Sequence, residues 1–197
     1  MISRRIALLL SGPAGSGKDT CANVLVNRLQ FKRYAIADTL KDIVSEITRV
    51  PRDYFDDTSK KDVELEVYRE SPRDLCIRIG TGTLRRYFGD LVFVDAMARH
   101  IEEDRIVVTD VRFDSDQRHL REVLSGRGYK VRCVNLVPVE HDGMTSWTPS
   151  ASVHDIKSTL EHFDTQIESR HGLIGDLESR IMHYVMTEFL VELVDDT

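Results

Sequence analysis

Short apolar runs alternate with longer amphipathic stretches along most of this chain, and the two patterns predict different elements. Residues 4–11 are rich in leucine and isoleucine, show little alternation and stop at Gly12, which predicts a strand buried on both faces. Apolar positions at Ala22, Val24, Leu25 and Leu29 predict a helix over 19–29. A short strand is expected over 34–37, and Leu40, Ile43, Val44 and Ile47 mark an amphipathic helix over 39–48. Pro72 suits a helix start, and that helix is expected to reach about Phe88, weakened by Gly80 and Gly82. Further on, the pattern predicts a helix over 93–101, a buried strand over 105–110 and a helix over 115–124. Strands over 129–137 and 163–167 and a helix over 176–193 complete it. Residues 51–70 are charged and poor in core side chains, so a mobile flap lying over the sheet is expected there. Residues 141–152, with Gly143, Pro149 and several hydroxyl side chains, read as a loop.

Strands that alternate with helices imply right-handed crossovers and a parallel sheet covered on both faces. The expected fold class is therefore α/β, three layers with a mostly parallel central sheet and helices on both faces, and the glycine-rich stretch Gly12–Thr20 after the first strand makes it a P-loop fold. No repeat or low-complexity linker divides the 197 residues, so a single domain over 1–197 is expected, with a helical flap at about 39–104 inserted in it. Arg4 and Arg5 ahead of an apolar stretch imitate a signal peptide, but the stretch is short and runs into glycines. No apolar run approaches the roughly 20 residues that span a bilayer, so no membrane association is expected. The net charge of -6 argues against a surface that coats nucleic acid. Three scattered cysteines, Cys21, Cys76 and Cys133, suggest reduced thiols and a cytoplasmic protein.

Chemistry enters at Gly12-Pro13-Ala14-Gly15-Ser16-Gly17-Lys18-Asp19-Thr20, which follows a predicted strand and opens a predicted helix. Glycines at 12, 15 and 17 let successive backbone N–H groups point at phosphate oxygens, and the helix N-terminus adds about half a positive charge. Lys18 supplies a compact cation for the β- and γ-phosphates. This is a nucleoside triphosphate cradle, with ATP and Mg2+ as the expected donor pair. The position after the lysine, where a hydroxyl usually ligates magnesium, holds Asp19, and Thr20 follows. Two roles fit Asp19: a magnesium partner through water, or a favourable charge at the helix start. The order Gly-Lys-x-Thr is similar to that of adenylate kinases.

Arginines dominate the stretch 71–95. Arg78 and Arg85 lie seven apart and share a face if the helix is regular, with Arg73 and Arg86 nearby. Converging arginines suit a monophosphate dianion, and a solvated basic face is the other reading. Asp110 ends a buried strand at the edge where doubly wound sheets bind ligands, so it fits either the magnesium shell or a cap. Arg112, two residues on, fits a clamp on the transferring phosphoryl group or a surface ion pair. Asp38 and Lys41, early in the second helix, are positioned to approach an acceptor. Arg118, Arg121 and Arg127 read as a solvated face or a short lid, and the seven histidines show no metal spacing. Tyr87 and Trp147 fit base stacking or a core role equally.

The stretch from Pro72 to Arg85 resembles a helix of the bacteriophage deoxynucleoside monophosphate kinases, roughly P-R-E-x-L-Q-x-x-G-T-E-x-x-R. Pro72, Arg73, Asp74, Gly80, Thr81 and Arg85 match it, while Ile77 and Gly82 stand in place of Gln and Glu. Residues 37–44 (ADTLKDIV), 107–113 (VVTDVRF) and 163–181 resemble other segments of that family in the same order, with Ser169 where the family has Asn. The resemblance implies phosphoryl transfer from ATP to a deoxynucleoside monophosphate. Lys18, Asp110, Arg85 and Arg112 would serve catalysis. Gly12, Ala14, Gly15, Ser16, Gly17, Lys18, Asp19 and Thr20 would hold the donor. Asp38, Lys41, Arg73, Arg78, Thr81 and Arg85 would hold the acceptor, and Asp19 and Asp110 would be outer magnesium partners. It also implies a homodimer, and a host cytoplasm if the gene is carried by a phage. Two other readings stay open: a kinase of another small phosphorylated acceptor, similar to phosphomevalonate or dephospho-coenzyme A kinases, and a nucleotide-switched binding protein. The second lacks a guanine-reading N-K-x-D sequence.

Overall fold

The structure, a computed structural model, describes residues 5–139, 162–170 and 172–190. Five strands form one sheet in the order β2-β3-β1-β4-β5, and every pairing is parallel. They are β1 (Arg5–Ser11), β2 (Lys32–Tyr34), β3 (Arg105–Val108), β4 (Tyr129–Val139) and β5 (Thr165–Arg170). The helices are α1 (Lys18–Leu29), α2 (Ile36–Thr48), α3 (Pro72–Ile79), α4 (Arg85–Phe88), α5 (Val92–Arg99), α6 (Asp114–Gly126) and α7 (Ile174–Val185). The α/β three-layer fold expected from the alternation of elements is the one found.

The chain forms two compact units. The first joins residues 1–35 to 101–197, and the second is Ile36–His100. In the first unit, β1 is central because nearly all of it is apolar, and Ala7 to Leu10 are fully buried. Its even-numbered positions, Ile6, Leu8 and Leu10, pack with Cys21, Ala22 and Leu25 of α1 and Leu177, Ile181 and Val185 of α7. Leu120 and Leu124 are the fully buried apolar positions of α6, which contacts β4. At the amino edge of the sheet, Arg5 stacks 4.5 Å from the Tyr129 ring and pairs with Asp104 at 3.1 Å. Arg127 donates to the Ile101 carbonyl there.

The second unit has its own small core of Val44, Val50, Phe55 and Leu75, flanked by Leu40, Tyr54, Leu65, Tyr68 and Ile79. Residues 51–70 therefore contribute apolar anchors rather than only charge, contrary to the core-poor flap expected. Their aromatic and aliphatic side chains come in short pairs or alternate with charges, with no helical spacing, which hid them in the sequence. Ser71 caps α3 with a capping box: its hydroxyl accepts from the Asp74 N–H, and Pro72 sits at the first helical position.

Several boundaries differ from the expected ones. β2 ends at Tyr34, and Ile36 and Ala37 already belong to α2. An edge strand of three residues with a polar sequence carries almost no periodic signal, whereas the amphipathic helix begins as soon as Ile36 can be buried. β5 sits two to three residues later than expected. The helix expected over 72–88 is broken: α3 stops at Ile79, a wide π-type turn covers Gly80–Leu84, and α4 resumes at Arg85. Gly80 lies against Leu40, where a Cβ would come within 2.5 Å of Leu40 Cδ2, so the turn bulges at the residue with no side chain. Beyond α7 another π-type turn covers Met186–Leu190. The loop expected over 141–152, Trp147 included, lies outside the described residues.

Candidate active site

The phosphate loop is built from the end of β1 and the start of α1. Gly12 has φ 132°, and a Cβ there would lie 2.5 Å from the Leu136 carbonyl oxygen and 2.7 Å from Ser16 Oγ. No other residue fits that approach to the β4 backbone. Gly17, at φ 87°, forms the N-cap of α1, with no side chain capping the helix. The helix therefore begins with N–H groups that no side chain of its own satisfies, which is the condition for anion binding. Leu177 of α7 and Ser169 of β5 back this glycine from the other side. Ser16 is fully buried, Ala14 and Gly15 are exposed at the tip, and Thr20 is half-buried in the first turn.

Lys18 folds back over the loop. Its Nζ donates to the Gly12 carbonyl at 2.8 Å and the Pro13 carbonyl at 2.6 Å, with Ser16 Oγ at 3.4 Å. Burial, and then the positive charge of Arg112, pull its pKa down from 10.5 to about 8, while Asp19 and Asp110 act in the opposite direction. Lys18, Arg112, Asp19 and Asp110 therefore share one electrostatic environment. Arg112 and Asp110 reach it because the Val111 N–H donates to the Leu10 carbonyl at 3.3 Å, which carries the chain after β3 along the end of β1. Two cations beside helix N–H groups that no side chain caps make a site that gains from a polyanion.

Asp19 is exposed and pairs with Arg33 of β2 at 3.1 Å, a partner the sequence reading did not supply. Among the described residues no group of three or more His, Cys, Asp or Glu side chains forms a metal cage. The oxygen donors beside the loop, Asp19 and Asp110, are of the hard type that magnesium takes, and that ion commonly uses one or two carboxylates together with substrate phosphates. The residues present fit it on those terms.

The second unit holds the remaining predicted residues, and its charged ones have partners there. Arg73 forks onto Asp62, with Nε at 2.7 Å from Oδ1 and Nη2 at 3.3 Å from Oδ2. Arg78 pairs with Glu70 at 3.1 Å. Arg85 donates to the Asp90 carbonyl at 2.7 Å and lies over the Phe93 ring at 5.6 Å. Thr81 is exposed on the π-type turn. That turn corrects the expected common face of Arg78 and Arg85: its wider winding takes the two out of phase by roughly a quarter of a turn. Asp38 and Lys41 do meet, at 3.7 Å, within a cluster centred on Arg52. Arg52 is the residue the sequence reading missed. Asp38, Lys41 and Asp42, spaced three and four apart on α2, were the signal for it, since two carboxylates on one helical face call for more than one cation.

The other candidates resolve simply. Arg121 pairs with Asp164, and Arg127 belongs to the amino-edge cluster, so neither is arranged as a lid. Tyr87 is 78% exposed, which removes its core role. The thiols of Cys21 and Cys133 are buried, and that burial pushes both up to about 12, away from nucleophilic use. No helix among the described residues is long and apolar enough to cross a membrane.

Comparison with known proteins agrees with this fold. No protein-family profile matches the chain. A protein of Acanthamoeba polyphaga mimivirus, provisionally named a deoxynucleotide monophosphate kinase, is 25% identical over 189 residues, 81% of this chain and 93% of its own. Three solved structures share the fold. A gluconokinase from Sinorhizobium meliloti 1021 has a TM-score of 0.52 at 11% identity, covering 100% of both chains. A shikimate kinase from Acinetobacter baumannii in complex with shikimate gives 0.52 at 15% identity, covering 94% of this chain and 95% of its own. A dephospho-CoA kinase from Campylobacter jejuni gives 0.52 at 13%, covering 94% and 98%. The chain shares its three-layer α/β fold with these three kinases.

Proposed function

We propose that this chain transfers the γ-phosphoryl group of ATP to a deoxynucleoside monophosphate, giving ADP and a deoxynucleoside diphosphate. The observation that carries the reading is the mimiviral relative, which matches 81% of the chain and is named for that activity. The phosphate loop, with Lys18 poised over it, supports the donor half independently.

In this reading the N–H groups of Gly15 to Thr20 and the ammonium of Lys18 bind the donor phosphates. Lys18 exchanges its contacts with the Gly12 and Pro13 carbonyls for phosphate oxygens. Arg112 neutralises charge on the transferring group, and Asp110 orients the phosphates' partners beside it. Magnesium, bound chiefly by phosphate oxygens and water with Asp19 and Asp110 as outer partners, would supply further charge neutralisation. Arg73 and Arg85 hold the acceptor phosphate. No side-chain nucleophile is needed, because phosphoryl transfer depends on alignment and charge rather than covalent catalysis. The buried, unreactive thiols are consistent with this.

The test is coupled ADP release with ATP and Mg2+ against dAMP, dGMP, dCMP, dTMP and 5-hydroxymethyl-dCMP in turn. Stimulation by one or more of them, weakened in Arg85→Ala through a raised acceptor KM, is expected. Stimulation only by dephospho-coenzyme A or phosphomevalonate would move the acceptor to another class.

A further inference from the structure

Arg52, in the second unit, bonds to three carboxylates. It sits in the short turn Arg52–Phe55 that follows α2. Its Nε donates to Asp42 Oδ1 at 2.6 Å and its Nη2 to Asp38 Oδ1 at 2.9 Å, while Nη1 binds Asp56 Oδ2. Asp56 Oδ1 in turn accepts from Lys41 Nζ at 2.7 Å, and Lys41 lies 3.7 Å from Asp38 Oδ1. Asp38, Arg52, Asp56 and Lys41 thus close a ring, and Asp42 braces the guanidinium from outside. Burial works against charge on Arg52, but its bonds to Asp42 and Asp56 outweigh that and hold its pKa above the ordinary value.

Stability does not account for this ring. The carboxylates of Asp38, Asp42 and Asp56 are 40%, 66% and 55% exposed. Ion pairs with that much solvent access contribute little to stability. Order is what the ring does provide: five long or charged side chains are held in one arrangement. Asp38 spends only Oδ1 on these bonds, and its Oδ2 takes part in none of them. Lys41 has three N–H groups and places two carboxylates against them. The outcome is an acceptor oxygen and an ammonium donor fixed one helical turn apart in the first half of α2. A hydroxyl group satisfies both at once, since it donates to a carboxylate and accepts from an ammonium.

Resting on the deoxynucleotide reading above, we propose that Arg52 is a positioning residue of the acceptor site. It holds Asp38 and Lys41 as a paired acceptor and donor for the 3′-hydroxyl of the acceptor nucleotide's sugar.

The experiment measures steady-state kinetics of the intact protein with the best deoxynucleoside monophosphate and with its 2′,3′-dideoxy counterpart. Wild type, Arg52→Lys, Arg52→Gln and Asp38→Asn are compared, each with its melting temperature and its KM for ATP. Hydrogen bonds to charged groups predict that the dideoxy acceptor costs wild type about 10- to 100-fold in kcat/KM. Arg52→Gln should raise the acceptor KM by a similar factor with the ATP KM unchanged, and should shrink the dideoxy penalty to near one. Asp38→Asn should shrink it likewise. Arg52→Lys, a point charge unable to fork to three carboxylates, should not restore it. An undiminished dideoxy penalty in Arg52→Gln and Asp38→Asn, or a lowered melting temperature with an unchanged acceptor KM, would overturn this inference alone. No turnover of any deoxynucleotide by wild type would overturn the acceptor reading and this inference with it.

Discussion

The loop from Gly12 to Thr20 and the stretch from Arg73 to Arg85 bear the two halves of the proposed reaction, yet they are made in opposite ways. The loop is a backbone site. Its glycines, its N–H groups and Lys18 are contiguous, and its one long side chain bonds to carbonyls five and six residues away. The arginine stretch is a side-chain site. Arg73 and Arg78 reach Asp62 and Glu70 from other turns of the chain, and a π-type turn shifts the helix between them and Arg85. A backbone site is encoded locally and tolerates little change, whereas a side-chain site is assembled from distant pieces and can be retuned one residue at a time. That difference sets how each should respond to substitution.

The sharpest contrast is expected at Lys18. Lys18→Ala should lower kcat/KM for ATP by about 100- to 1,000-fold, while circular dichroism and melting temperature stay near wild type, because the change removes a buried cation rather than a packing group. Arg73→Ala and Arg85→Ala should cost less, about 10- to 100-fold. Their loss should appear in the acceptor KM, with the ATP KM held. Equal damage to both KM values would erase the distinction between the two sites.

A pH series sharpens the loop side of the comparison. With the Lys18 pKa drawn down to about 8 in the free protein, ATP affinity measured by calorimetry should fall as pH rises above 8, by at most about tenfold per pH unit. Bound phosphates favour the ammonium, so proton uptake on binding should be seen over the same range. In the ATP-free protein the sign is reversed for stability: the unfolded chain binds the extra proton between about 8 and 10.5, so the Lys18 contribution to stability rises across that window. Lys18→Met should flatten both dependences.

The smallest effect is expected at Gly80. A methyl group there meets only the flexible end of Leu40, so Gly80→Ala should shift stability by less than about 1 kcal/mol. Any change should fall on the acceptor KM, through the phase of Arg85 on the π-type turn.

These regions also mark what the sequence could and could not reveal. The strand–loop–helix at Gly12 was legible because each step of it is local: a buried apolar run, glycines with required geometry, then a helix. The sheet followed from the alternation of elements. Arg52, Asp62 and Glu70 were not legible as partners, because a long side chain has many carboxylates in reach and only the packed unit selects one. The π-type turn was invisible for another reason: Gly80 and Gly82 weaken a helix but do not say whether it ends, kinks or widens. Asp19 was left between two roles by the sequence, and Arg33, fourteen residues away on an edge strand, was the missing partner.

The most direct test of the central claim follows the phosphorus itself. In 31P NMR of the protein with ATP, Mg2+ and each deoxynucleoside monophosphate, the account predicts that the two signals of a deoxynucleoside diphosphate grow in step with those of ADP. Growth of inorganic phosphate with ADP, at a rate indifferent to every monophosphate supplied, would contradict it.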